Sequence, residues 1–222
     1  EVGFSQADVT ALCSVGGSTK TKANNQIGEK GIGFKSVFVV SRRPHISSRG
    51  FSFRFDEEPD LACGLGYIVP TWVDTFPVDA GNRETVLVLP LKPGKKHLVE
   101  EQLQAIEPEL LLFSKKVCRL SCRAPRFDLI WSKVVEGRVA TLKCARPTVP
   151  APETSRYWLW QHRATVPMYV VEESRVGITE TELTLALGSK KGSNVYAFLP
   201  LELEMPFPFV VNADFIVSAA RE

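Results

Sequence analysis

The chain has 222 residues, 44% hydrophobic and 23% charged, enough apolar material to bury a core and too much for a disordered segment. Its formal net charge of +2 lacks the concentrated basic excess of a nucleic-acid surface. No apolar run approaches the roughly 20 residues that cross a bilayer, and no signal-peptide pattern opens the chain. The reading is therefore intracellular, cytoplasmic or nuclear, with neither a nucleic-acid nor a membrane partner. Because the sequence starts at Glu1 in the middle of a motif, a piece of a longer protein is expected.

Ser5 can cap a helix, and Ala7, Val9, Leu12 and Cys13 follow it at helical spacing. Residues 14–27, SVGGSTKTKANNQI, lose that period and are rich in turn formers, so a mobile loop is expected. In GEKGIGFKSVF, residues 28–38, the glycines Gly28, Gly31 and Gly33 are spaced GxxGxG. They lead into a helix whose Phe34, Val37 and Phe38 share a face, with Lys35 and Ser36 on the polar side. Phe51, Phe53 and Phe55 alternate as in a strand, and VLVLPL at 86–91 reads as a second, more fully buried strand. Residues 95–113 carry Leu98, Leu103, Ile106 and Leu110 at near-helical spacing, interrupted by Pro108.

A boundary is expected near Pro125, giving domains 1–125 and 126–222. Beyond it FDLIW, VATLKC, RYWLW and ELTLAL are short alternating segments separated by turn signals, a pattern of hairpins in a β-rich domain. In RYWLWQH, Trp158 and Trp160 share one strand face, where core packing is the ordinary outcome and a binding platform the alternative. Five cysteines without CxxC pairing read as reduced, apolar packing groups, and no metal site is expected. His45, His97 and His162 lie far apart and show no nucleophile partner, so no catalytic residue is assigned. Lys20, Lys22, Lys30, Arg42 and Arg43 form a loosely basic region without interleaved aromatics, explained by a nucleotide phosphate or by solvation.

A glycine loop at a helix start leaves backbone N–H groups free to bind anions, and glycine lets the chain approach phosphate oxygens in conformations closed to other residues. The spacing alone also occurs as an ordinary helix cap. The full string with its flanks, however, resembles the second glycine box of the GHKL ATPase superfamily, the Hsp90-like, histidine kinase-like ATP-binding domains. VYAFLPL at 195–201, FPFVVNADF at 207–215 and SAARE at 218–222 follow in the order seen in the sacsin and NO VEIN type of that superfamily.

The resemblance implies an α+β fold: a Bergerat-type α/β sandwich with helices on one face of a mixed sheet, lacking its first helix, followed by the β-rich domain. It implies ATP binding with Mg2+ in the intact protein, with no cofactor assured for this piece. Gly3 and Phe4 match the tail of the first glycine box, Phe4 lying against the base. Gly28, Glu29, Lys30, Gly31, Ile32, Gly33 and Phe34 match the phosphate loop, with the Glu29 backbone rather than its carboxylate facing phosphate. Thr85 matches a strand threonine near adenine, although β-propensity alone also explains it. Ser18, Thr19 and Lys20 fall in the matching lid, and Arg221 is the nearest candidate for a γ-phosphate contact. The family's general-base Glu, its metal-binding Asn and its adenine-reading Asp would all precede Glu1, so this chain is expected not to turn over ATP. The implied role is a nucleotide-dependent conformational switch acting on other domains or on protein clients, chaperone-like or regulatory. A pseudo-ATPase scaffold and a client binder built on the β-rich half are the alternatives.

Overall fold

A computed structural model describes residues 3–14, 33–58, 65–79, 85–146, 149–167, 169, 179–188 and 193–215. The chain divides into two compact units, Glu1–Glu101 and Gln102–Glu222.

In the first unit Ser5 caps the helix α1 (Gln6–Leu12). The Asp8 amide donates to Ser5 Oγ at 3.3 Å and the Ser5 amide donates to Asp8 Oδ2 at 2.8 Å, a reciprocal arrangement that satisfies two amides at once. The apolar run after the glycine loop forms a 3-10 helix, Phe34–Val39. Four short strands, β1 (His45–Ser48), β2 (Phe51–Arg54), β3 (Thr71–Trp72) and β4 (Thr85–Val88), form an antiparallel sheet ordered β3-β2-β1-β4. Arg49 (φ +50°) and Gly50 (φ +85°) join β1 to β2. Positive φ at both central residues is what a tight hairpin turn matched to the strand twist demands. Ile46, Phe53 and Phe55 meet Val9 and Phe38 in a core at 0–6% exposure.

The expectation for VLVLPL needs correction. β4 is the last strand of its sheet, paired through β1 alone among the described strands, and Leu87 and Leu91 are 44% and 41% exposed. Apolar composition announces a strand but carries no information about which strand lies at the edge.

The second unit takes the end of α2 (Lys95–Gln104) and a separate 3-10 turn that Pro108 opens, Pro108–Leu111. Its sheet contains β5 (Arg119–Ala124), β6 (Phe127–Glu136), β7 (Val139–Ala145), β8 (Glu153–Thr165), β9 (Glu180–Gly188), β10 (Ser193–Ala197), β11 (Leu199–Met205) and β12 (Phe209–Ala213). The order is β11-β10-β12-β9-β8-β7-β6-β5, antiparallel throughout except for the parallel β10–β12 pair. The fold class is thus α+β, β-rich, with a mixed sheet. Leu111, Leu112 and Phe113 pack with Trp131, Leu142 and Tyr157 in the core, and Leu103 and Ile106 pack against it. The second unit begins at Gln102 and takes the apolar side chains between Leu103 and Phe113 into its core. Among the described residues no helix is long and apolar enough to cross a membrane.

Candidate functional site

Gly3 has φ +70°, a conformation that side chains with a β-carbon rarely adopt. The turn it allows directs the Phe4 amide to Ser48 Oγ at 2.9 Å while the Phe4 ring packs against the core of the first unit. Ser48 ends β1 directly opposite Thr85 in β4, and their hydroxyl oxygens are 2.7 Å apart. Phe4, with Gly3 setting its turn, and Thr85 thereby meet at the hydroxyl of buried Ser48. A threonine oxygen has one donor and two acceptor positions, so the bond to Ser48 leaves Thr85 capacity for a further partner. Ser48 was not foreseen: Phe4 and Thr85 lie 44 and 37 residues away from it, and nothing in HISS marks its second serine.

Gly33 and Phe34 follow the glycine loop. Gly33 is right-handed helical (φ −57°, ψ −42°), and a β-carbon there would meet nothing within 4 Å, so neither its backbone angles nor crowding requires glycine. Its carbonyl accepts from Ser36 Oγ at 2.7 Å. The Phe34 ring lies 5.5 Å from that of Phe55, anchoring the start of the 3-10 helix on the sheet. Gly28, Glu29, Lys30, Gly31 and Ile32, the lid residues Ser18, Thr19 and Lys20, and Arg221 lie outside the described residues.

Lys35 corrects the expectation that it stays on the polar side. Its ammonium donates to the Leu12 carbonyl at 2.6 Å and to the Tyr67 carbonyl, and stands 4.7 Å from the centre of the Phe55 ring. Burial pushes its pKa below the ordinary lysine value, with the neighbouring Cys13 thiol opposing. The long stem lets the charge reach the carbonyl end of α1, where the helix dipole favours a cation. This charge ties two segments of the first unit together.

Arg42 and Arg43 are likewise engaged. Arg43 pairs with Asp56 at 2.7 Å, and Arg42 lies 3.7 Å from Glu57 and 3.6 Å from Glu58. Glu57 also accepts from Lys92 at 2.8 Å and from the Tyr67 hydroxyl at 3.1 Å. The Lys92 bond, ahead of the contributions of Tyr67 and Arg42, holds the Glu57 carboxyl below its ordinary range. These two arginines form an ion-pair network rather than a free phosphate patch.

In the second unit the tryptophans overturn the expectation of core packing. Trp158 and Trp160 are 55% and 41% exposed, because the alternate residues Tyr157 and Leu159 take the core side of β8. Among the described residues no group of three His, Cys, Asp or Glu side chains could hold a metal ion.

Comparison with known proteins found similarity along the whole chain to Protein NO VEIN of Arabidopsis thaliana, 31% identical over 254 aligned positions. This similarity supports a NO VEIN/sacsin-like family. The chain spans 9% of the length of that NO VEIN relative. No family model matches the chain, and no solved structure matches it.

Proposed function

We propose that this chain is the nucleotide-binding part of a NO VEIN-like protein, a switch of regulatory or scaffold character whose ligand is ATP. The carrying observation is that the Phe4 amide, just after the Gly3 turn, and the Thr85 hydroxyl share Ser48 Oγ, which joins the tail of one expected glycine box to the expected adenine-side strand across more than 80 residues. On this reading Phe4 and Thr85 flank the base, and backbone amides of Gly28, Gly31, Ile32, Gly33 and Phe34 hold phosphate, with Glu29 and Lys30 in the same loop. Ser18, Thr19 and Lys20 close over the nucleotide, and Arg221 is the candidate γ-phosphate contact. The proposed architecture is Bergerat-type. In the intact protein Mg2+ would supply positive charge to offset that of the phosphates. No residue among the 222 matches the family's general-base Glu or metal-binding Asn, so these residues by themselves are not expected to hydrolyse ATP.

The test is calorimetric titration of a non-hydrolysable ATP analogue, with magnesium, into a form of the protein extended upstream of Glu1. Saturable binding, weakened at least about tenfold by Gly31→Val, is expected, since a valine side chain would intrude where backbone meets phosphate. Equal binding by both forms, or none by either, overturns the reading. Steady-state phosphate release from the 222 residues alone would overturn the claim that they do not hydrolyse. The pseudo-ATPase scaffold reading is favoured if the extended form binds the analogue yet releases no phosphate from ATP.

A further inference from the structure

β8 is a central strand, and on the face opposite Tyr157 it presents Arg156, Trp158, Trp160 and His162 at alternate positions. Trp158 lies between Val139 of β7 and Leu187 of β9, and Leu187 pairs onward with Phe209 of β12. Leu187 is 46% exposed beside Trp158 at 55%. Aromatic and aliphatic side chains thus form one continuous row across four strands. A central strand with two half-exposed tryptophans is costly to leave in water, and contiguous apolar surface of this kind marks an interaction site.

Charge lies on one flank of that row. Thr141 of β7 faces Arg156, and Lys143, two residues on, shares a cross-strand row with Ser132 of β6 and Arg119 of β5. Arg119, Lys143 and Arg156 are exposed, and none has an ion-pair partner among the described residues. Of the acids on this face, Asp128 is held by Arg123 at 2.9 Å, leaving Glu136 at the end of β6.

We infer that this face, Trp158, Trp160 and Leu187 flanked by Arg156, Lys143 and Arg119, is a docking surface for an acidic amphipathic segment of a partner polypeptide. Three uncompensated cations beside an apolar row call for carboxylates beside apolar side chains. A single-stranded nucleic acid fits less well. Trp160 is already stacked on His162 at 5.5 Å and Phe207 on Phe209 at 5.1 Å, so one face of each ring is taken, and Leu187 and Val139 offer burial rather than stacking. A second copy of the chain would bring the same three cations and only Glu136 to answer them. The inference is independent of the nucleotide reading, since every residue it uses lies in the second unit.

The test titrates the 222-residue chain, followed by tryptophan emission, with three probes. These are a short synthetic peptide with Leu and Phe on one face and Glu on the other, its Glu-to-Lys counterpart, and a thymidine oligonucleotide. The acidic peptide is expected to bind with a blue shift and at least about tenfold more tightly than either other probe. Trp158→Ser should weaken it by a similar factor, and Arg156→Glu should weaken the acidic peptide while strengthening the basic one. Both substitutions are at exposed positions, and the near-ultraviolet dichroism of buried Trp131 reports whether the fold is kept. Equal binding of both peptides, tighter binding of the oligonucleotide, or no binding of any probe overturns the inference. So does concentration-dependent self-association that Trp158→Ser abolishes, which would assign the face to a second copy.

Discussion

Tyr157 and Glu109 are 2% and 3% exposed, and the tyrosine hydroxyl donates to Glu109 Oε1 at 2.6 Å. Burial and then this bond raise the phenol pKa above its ordinary value, so it stays a donor throughout the accessible pH range. Tyr157→Phe removes a hydrogen bond to a buried acid and should lower stability by about 1.5–3 kcal/mol, read as a lower urea midpoint at unchanged slope. Gly188 lies directly opposite Tyr157, where a β-carbon would sit 2.5 Å from Cδ1 and 2.6 Å from Cε1 of the ring. The ring cannot swing aside while its hydroxyl is held. Gly188→Ala should therefore cost at least about 1–3 kcal/mol alone and measurably less beside Tyr157→Phe, a coupling that a double-mutant cycle detects. His45 offers a pH test in the first unit. It is 9% exposed with a buried, unpartnered Nδ1, and burial, aided by Arg54 and Arg43 and opposed by Asp56 and a backbone bond at Arg43, lowers its pKa from 6.5. As pH falls through about 6.5 the unfolded chain takes up this proton before the folded chain does, so stability drops as pH falls toward the folded pKa. His45→Gln should flatten that part of a stability-against-pH curve, measured by urea unfolding at stepped pH.

At the scale of elements, Lys35 links α1 to the loop bearing Tyr67. Lys35→Met keeps the stem but removes both charge-assisted bonds, so amide exchange in α1 should accelerate by a factor corresponding to about 1–3 kcal/mol, with β1 and β2 changing less. Elements governed by local chemistry were legible in the sequence. Ser5 announced α1, Pro108 the break after α2, and the spaced alternating runs the hairpins of the second sheet. What depends on partners distant in sequence was not. VLVLPL gave a strand but no edge position, and Ser48 is defined by Phe4 and Thr85. RYWLWQH shows why alternation has a limit: Tyr157 and Leu159 on one side and Trp158 and Trp160 on the other are both apolar sets, so periodicity separates the faces without saying which one is covered. Only the 3-10 turn and the residues Leu111, Leu112 and Phe113, packed against the Tyr157 side, decide it. For the candidate site, the resemblance singled out Gly3, Phe4 and Thr85 but not Ser48, which the Phe4 amide and the Thr85 hydroxyl share, whereas Lys35 was misplaced because its stem is long enough to turn a polar position inward.

Across the whole molecule the two units have separate cores, Ile46, Phe53 and Phe55 in one and Trp131, Leu142 and Tyr157 in the other. Their unfolding is expected to separate, and the tryptophans provide the means to see it. Trp72 belongs to the first unit and Trp131, Trp158 and Trp160 to the second, so Trp72→Phe, at a position 58% exposed, makes emission a probe of the second unit alone. Far-ultraviolet dichroism reports both. In urea the two signals should give transitions that do not coincide, a departure from two-state behaviour. If the first unit binds nucleotide, an ATP analogue at about 100 times its dissociation constant should stabilise that unit by roughly 2.7 kcal/mol, and move the emission transition only as far as Arg221 of the second unit shares in holding the ligand. The acidic peptide proposed for the β8 face should do the reverse, moving the emission transition and leaving the other dichroic step in place. Coincident transitions that both ligands shift together would mean that the chain unfolds as one cooperative body, with the two candidate sites coupled through it.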